Sequence, residues 1–341
     1  MPADLPLATC PKAMTYGPCG GVELDGTCEV SPDPCVFLDI APVSWGGPDA
    51  VAVPDQPGAA AMRELMAQRP IVVVDLPAAA LSTSSITACA DVLRGRVDAV
   101  LAGDSGAARV QFPPAYRAHL LRAAGLQVWT GINNRDRNRV ALEGELAALA
   151  DVGVGGIHCV TGDHTNTGHR PDAKPVFDLD STRTASLARR FGHLVSVGEA
   201  PCAPPTEARP GRLLEKERAG AEVCFVNHCG GVAAVEGFVS SARALGVGLA
   251  FIACVPIVLD EGSAAVMESF TTSPMPEGYL ASILGAGPDP AAVRAAGIAA
   301  AVDLARRMLD LGLAGVNLSG GPAPGGELAY AEAVAEIADR V

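Results

Sequence analysis

The sequence predicts a (β/α)8 barrel preceded by a small cysteine-rich segment. Three observations lead there. Eight short apolar runs, largely β-branched, recur along the chain and are nearly continuous, as strands buried on both faces must be. Helical patterns separate them, and Gly153, Gly220, Gly246 and Gly312 close helices just ahead of the next run. Ahead of all this stand Cys10, Cys19, Cys28 and Cys35, in a stretch dense in Gly and Pro.

That first stretch has too few apolar side chains to offset its ordering entropy by burial. A four-thiolate metal site would supply the missing free energy directly. Export-dependent disulfides are not expected, and chance clustering fits poorly with the Gly-Pro punctuation around the thiols. The spacings lack the paired Cys-x-x-Cys of common zinc ribbons, so zinc and a [4Fe-4S] cluster both stay open. Gly17, Gly20, Gly21 and Gly26 would let the backbone wrap closely. The expected division is a metal-binding module at 1–45, a Pro/Gly/Ala linker at 46–67 and the barrel at 68–341. Cys89, Cys159, Cys202, Cys224, Cys229 and Cys254 mostly sit in apolar runs and read as small buried hydrophobes.

The expected strands are 70–76, 97–103, 126–131, 155–161, 194–198, 222–227, 248–254 and 314–318. Helical patterns cover 138–150, 181–190, 213–219 and 291–311. Eight βα units in about 270 residues suit a closed barrel. An open doubly wound sheet is the alternative, but no Gly-x-Gly-x-x-Gly follows the first run. The irregular stretch 261–277 is long for a loop and reads as a lid.

Composition narrows the function. Of 341 residues, 49% are hydrophobic, enough for a large core, and the net charge of −13 argues against a nucleic-acid or anionic-membrane surface. No bilayer-spanning run and no signal peptide are read in the sequence, and a cytoplasmic location with reduced thiols is expected.

In a barrel of this kind, function sits where strands end. Polar residues stand there almost every time: Asp75, Asp104-Ser105, Asn133 to Arg139, Thr161 to His164, Glu199, Asn227-His228, and Asn317 with Ser319. Asp75 is distinctive because it interrupts a run of Val. A carboxyl placed inside a barrel mouth is desolvated, which raises its pKa toward that of a general acid or base. His158, within a strand, reads as a core residue rather than a ligand.

These residues resemble the methylenetetrahydrofolate reductase family. The resemblance covers roughly residues 68–340, through Arg135-Asp136-Arg137-Asn138-Arg139, Val160 to His164, Pro175 to Ser181, and Lys216 ahead of Ala219-Gly220-Ala221. The segment Gly17-Pro18-Cys19-Gly20-Gly21, Gly26-Thr27-Cys28-Glu29-Val30 and Cys35-Val36-Phe37 is similar to the small Cys-rich module of acetogen-type members.

The resemblance implies reduction of 5,10-methylenetetrahydrofolate to 5-methyltetrahydrofolate. N10 is protonated, the five-membered ring opens to an N5 iminium, and a hydride reaches the methylene carbon. Asp75 stands where the family has its acid, a Glu, and Asp163 matches the Asp that stabilises the cation. Asn227 replaces a substrate-binding Gln, with His228 beside it. Thr130, Arg135, Thr161, Gly162, His164, Asp180 and Lys216 fall on the cofactor side, where FAD or FMN and NAD(P)H would bind. The flavin contacts are weakened: Thr161 replaces an Arg, Ala200 a Tyr, and Val128 or Trp129 a His. Two alternatives stay open. One is a folate-dependent one-carbon transferase without hydride transfer. The other is a non-catalytic electron-transfer or assembly partner. A folate small molecule, a redox partner protein and a homo-oligomer are the expected associations.

Overall fold

The computed structural model describes residues 10–40, 43–104 and 108–341; Ser105 of the expected site lies outside them. In the cysteine segment, β1 (Thr27–Cys28) and β2 (Ser31–Pro34) form a short antiparallel pair. Helix α1 (Pro57–Gln68) follows. The barrel then alternates β3 (Ile71–Asp75), α2 (Thr83–Leu93), β4 (Ala99–Ala102), α3 (Pro114–Ala123), β5 (Val128–Asn133), α4 (Arg139–Val152), β6 (Gly156–Val160) and α5 (Ser181–Arg190). It continues through β7 (Val195–Glu199), α6 (Arg209–Ala219), β8 (Val223–Val226), α7 (Val232–Ala244) and β9 (Ala250–Pro256). Helices α8 (Glu261–Glu268), α9 (Tyr279–Leu284) and α10 (Pro290–Leu309) lead to β10 (Gly315–Ser319) and α11 (Glu327–Ala338). The eight strands β3 to β10 are parallel and closed, with β10 paired to both β9 and β3. Each strand end lies within two residues of the one expected from the sequence.

Side-chain alternation sorts the strand residues into two layers. Odd positions of β3 to β5 (Ile71, Val73, Ala99, Trp129) join Val223, Phe225 and Ile252 inside the barrel. Their neighbours Val74, Val100, Val128, Ile132, Cys224 and Val226 face the helices and build the larger core. Inside, two glycines make room. A Cβ on Gly156 would sit 2.5 Å from the Trp129 indole, and one on Gly315 would sit 2.3 Å from the Ile71 carbonyl oxygen.

Two expectations need correction. The stretch 46–67 is not all linker: α1 occupies its second half, and Ala59 and Met62 pack on Ile71, Val73 and Trp129. That contact closes the barrel interior at the N-terminal ends of the strands. The stretch 261–277, read as irregular, opens as α8, where Asp260 and Ser263 form a reciprocal capping box, and Ala264 and Met267 of that helix are buried. Among the described residues, no helix is long and apolar enough to cross a membrane.

Candidate active site

Interior alternation continues past the apolar layer to the C-terminal ends of the strands. There the inward positions Asp75, Gly103, His158, Val160, Gly198 and Asn227 keep partial exposure, while their outward neighbours Val74, Ala102, Ile157, Cys159, Val197 and Val226 are buried. A Cβ added to Gly103 would meet nothing, and one added to Gly198 would meet only the His158 imidazole. An open cup therefore occupies the barrel mouth.

Asp75 ends β3 and lines this cup. Its Oδ1 accepts a hydrogen bond from Asn317 Nδ2 at 2.9 Å, and its Oδ2 accepts from the Gly320 amide at 3.1 Å. Both donors favour the carboxylate, yet burial outweighs them and raises the pKa. Asn317 is itself buried, and its Oδ1 has no partner among the described residues. Asn227 also lines the cup, and its side chain makes no hydrogen bond to another described residue.

The loop after β6 is organised differently from expectation. The Asp163 side chain is 64% exposed and lies 3.5 Å from Arg109. Arg109 in turn binds the Thr167 carbonyl and hydroxyl oxygens and donates its backbone N–H to His169 Nδ1. His164 stacks on Phe177, and its Nδ1 accepts from the Asn166 amide. Gly162 adopts φ +87°, and a side chain there would press on Asn133.

Most residues expected on the cofactor side are committed to internal bonds. Thr130 points outward from β5 and is fully buried, with its Oγ1 unpartnered among the described residues. Arg135 is buried and binds Asp104 at 2.9 Å, while Asn133 binds the same carboxylate at 2.7 Å. Thr161 Oγ1 accepts from the Ser181 amide, and Asp180 caps α5 by accepting from the Arg183 amide. Lys216, expected near a flavin, instead lies outside the barrel wall against the outward-facing Glu199. His228, expected at the substrate, sits between the barrel and α10, lining a cavity of about 10 Å³ with Leu304 and Met308. Neither of its ring nitrogens has a well-formed hydrogen bond, and burial pulls its pKa down to about 4.

Glu199 is the centre of a buried charge cluster that the sequence reading did not anticipate. Lys216 Nζ lies 2.7 Å from it, Arg209 3.1 Å and Arg212 4.0 Å. Burial alone would raise this carboxyl, but Lys216, Arg209 and Arg212 outweigh that and bring it down to about 2. The same arginines hold the cysteine module. Arg209 donates to the Cys19 carbonyl at 3.0 Å and Arg212 to the Tyr16 carbonyl at 2.9 Å. Thr15 and Asp180 add a backbone-to-carboxylate bond, and the His164 amide binds Glu29 at 2.8 Å. Tyr16 and Trp45 pack together on Ala219 of α6. The module is thus seated on the mouth end of the barrel, beside β6 and β7, and draws order from that docking.

All ten cysteines are free thiols. Among the described residues, no three His, Cys, Asp or Glu side chains stand in a metal-holding arrangement. The four module cysteines are nonetheless within electrostatic reach: burial raises Cys10 and Cys35, and the neighbouring thiols add to it. Lys12 is buried beside them. Burial works to lower its pKa, but Cys19, Glu29 and Asp163 outweigh that and hold it raised.

Residues 4–43 match the sequence pattern of a family described as methylene-tetrahydrofolate reductase C terminal. No curated protein sequence matches the chain significantly. Among solved structures, the fold is similar to a Clostridium thermocellum protein that binds two copies of 5-methyl-5,6,7,8-tetrahydrofolic acid. The TM-score is 0.57 and the identity 12%, over 82% of this chain and 98% of that one. Oxaloacetate acetylhydrolase (TM-score 0.47, 12% identity, 78% and 81% coverage) and 2,3-dimethylmalate lyase of the PEP mutase/isocitrate lyase superfamily (0.45, 14%, 79% and 80%) also match. At these identities the likeness shows the barrel fold alone.

Proposed function

We propose that the chain is a folate enzyme that binds methylene- or methyl-tetrahydrofolate in the barrel cup and uses Asp75 as its general acid. The observation that carries this reading is the inward Asp75 carboxyl, held by Asn317 and Gly320 with a raised pKa at the rim of an open cup. The reductase-type match of residues 4–43 and the folate-binding barrel of the Clostridium thermocellum protein support the substrate class. Protonated Asp75 would give its proton to N10 of methylenetetrahydrofolate, opening the five-membered ring to the N5 iminium. Asn227, which lines the cup, is the pterin contact; Asp163, exposed beside Arg109, would have to turn inward to meet that cation. Reduction then needs a hydride on the methylene carbon, from a reduced nicotinamide or through a redox partner.

The residues assigned to a flavin do not fit one. Arg135, Thr161, Asp180 and Lys216 spend their polar atoms on Asp104, α5 and Glu199. This favours, as a second reading, a folate-binding one-carbon enzyme without hydride transfer. Anaerobic incubation with methylenetetrahydrofolate and NADH or NADPH separates the two. Formation of 5-methyltetrahydrofolate is the expected result; tight folate binding with no product supports the second reading, and no binding removes both.

The four module thiols fit a thiolate metal centre in donor type and number. Cys10, Cys19, Cys28 and Cys35 would hold it, and it would supply structural cross-linking if zinc, or electron transfer if an iron–sulfur cluster. Lys12, beside Cys19, would balance its charge. Cys19→Ser is expected to lower the metal content of the purified protein, read by elemental analysis, and to expose residues 10–40 to protease. Unchanged metal content would remove Cys19 from the ligand set.

A further inference from the structure

His158 takes no part in the proton chemistry above, yet its surroundings fix it closely. It lies on the inward face of β6, between the apolar layer and the rim. Its Nδ1 is 2.9 Å from Ser196 Oγ of β7. That hydroxyl accepts the Trp129 indole N–H at 2.8 Å and lies 3.3 Å from the Ile157 carbonyl. A hydroxyl has one proton to give. The Nδ1–Oγ bond is the shorter of the two, and it leaves Nε2 as the ring nitrogen that can meet a ligand. The ring is set edge-on to Phe225, with centroids 5.0 Å apart.

Nε2 itself makes no hydrogen bond to another described residue. It stands over Gly198, where a Cβ would come within 3.5 Å of it, so the absent side chain leaves the space at this nitrogen open to the cup. Burial lowers the ring pKa to about 4, with Lys216 adding to it, and the imidazole is neutral at neutral pH. A neutral ring nitrogen can hydrogen-bond a ligand without repelling a cationic iminium next to it.

We propose that His158 is a substrate-contact residue on the floor of the cup, hydrogen-bonding through Nε2 to the heterocycle of a reduced pterin. Ser196 and Trp129 are positioning residues that hold the ring through Nδ1. This assignment rests on the folate reading and names the contact that the reading leaves unassigned.

The test uses the full chain, titrated anaerobically with 5-methyltetrahydrofolate. His158→Leu is expected to weaken binding about tenfold, about 1.4 kcal/mol. His158→Gln, whose amide group reaches the place of Nε2, should restore affinity to within about threefold of the parent. A purely structural role would show in the melting temperature of both variants and would give Gln no advantage. In parallel, the Nε2 resonance in the ¹⁵N imidazole spectrum of the unsubstituted protein should shift on folate saturation. Folate binding that is equal in the parent and in His158→Leu, or an Nε2 resonance that folate leaves unmoved, overturns the contact while the folate reading stands. A parent protein that binds no folate overturns the reading itself and the contact with it. Should His158→Leu fail to fold, the spectrum of the parent decides alone.

Discussion

Asp75→Asn is expected to cut turnover of methylenetetrahydrofolate by about 10²- to 10⁴-fold, the span that a positioned general acid supplies. Folate affinity should change little, because the amide keeps the size of the carboxyl and one acceptor oxygen. The cost in stability should stay near 1–3 kcal/mol, since either Asn317 Nδ2 or the Gly320 amide then faces an N–H₂ group instead of an oxygen. The pH profile gives a sharper reading than the rate alone. Burial raises the Asp75 pKa, so its protonated, proton-donating form persists above the ordinary carboxylate range. The rate limited by ring opening should fall as pH rises through that raised value, and the Asn variant should lose this limb. The raised value also bears on folding: the stabilisation it brings is full below the unfolded pKa and is lost as pH rises through the folded one. Asp75→Glu restores a carboxyl and should recover part of the rate. Wild-type turnover in Asp75→Asn would remove this residue as the acid.

How much of this was legible in the sequence follows from period and range. Strands buried on both faces write themselves as apolar runs, and all eight were readable for that reason. Asp75 was readable because a carboxylate ending such a run has no bland explanation. Helix α1 was not, because its barrel-facing side is built from Ala59 and Met62 within an Ala- and Gly-rich stretch that looks like linker. Thr130 and His228 show what the twofold period could have decided. Trp129 and Phe225 point inward, so Thr130 and His228, at odd offsets from them, belong to the outer face. The docking of the cysteine module had no local signal. Its anchors are two arginines of α6 bound to carbonyl oxygens nearly two hundred residues away in the chain. His158 read as core because its inward neighbours are apolar. The register with Ser196 and the missing side chain at Gly198, which open its second nitrogen to the cup, arise only when β6 and β7 pair.

The Glu199 cluster makes the second large prediction. Glu199→Gln is expected to destabilise the fold by about 3–5 kcal/mol, because it leaves Lys216, Arg209 and Arg212 buried together without their carboxylate. Lys216→Met should cost less, since Glu199 keeps both arginines as partners. That order separates a charge effect from lost packing, which would penalise the two variants alike. The linkage has a definite sign. The Glu199 pKa falls from its ordinary 4.5 to about 2 on folding, so its stabilisation is complete above the unfolded value and is lost as pH drops from 4.5 toward 2. Urea unfolding across that window should be steeply pH-dependent in the parent and flatter in Glu199→Gln. Because Arg209 and Arg212 also hold the Cys19 and Tyr16 carbonyls, the same variant should speed hydrogen exchange in residues 10–40 before the barrel strands lose protection. A Gln variant within about 1 kcal/mol of the parent, with the module still protected, would mean that the three cations find other partners and that the cluster is not what seats the module on the barrel mouth.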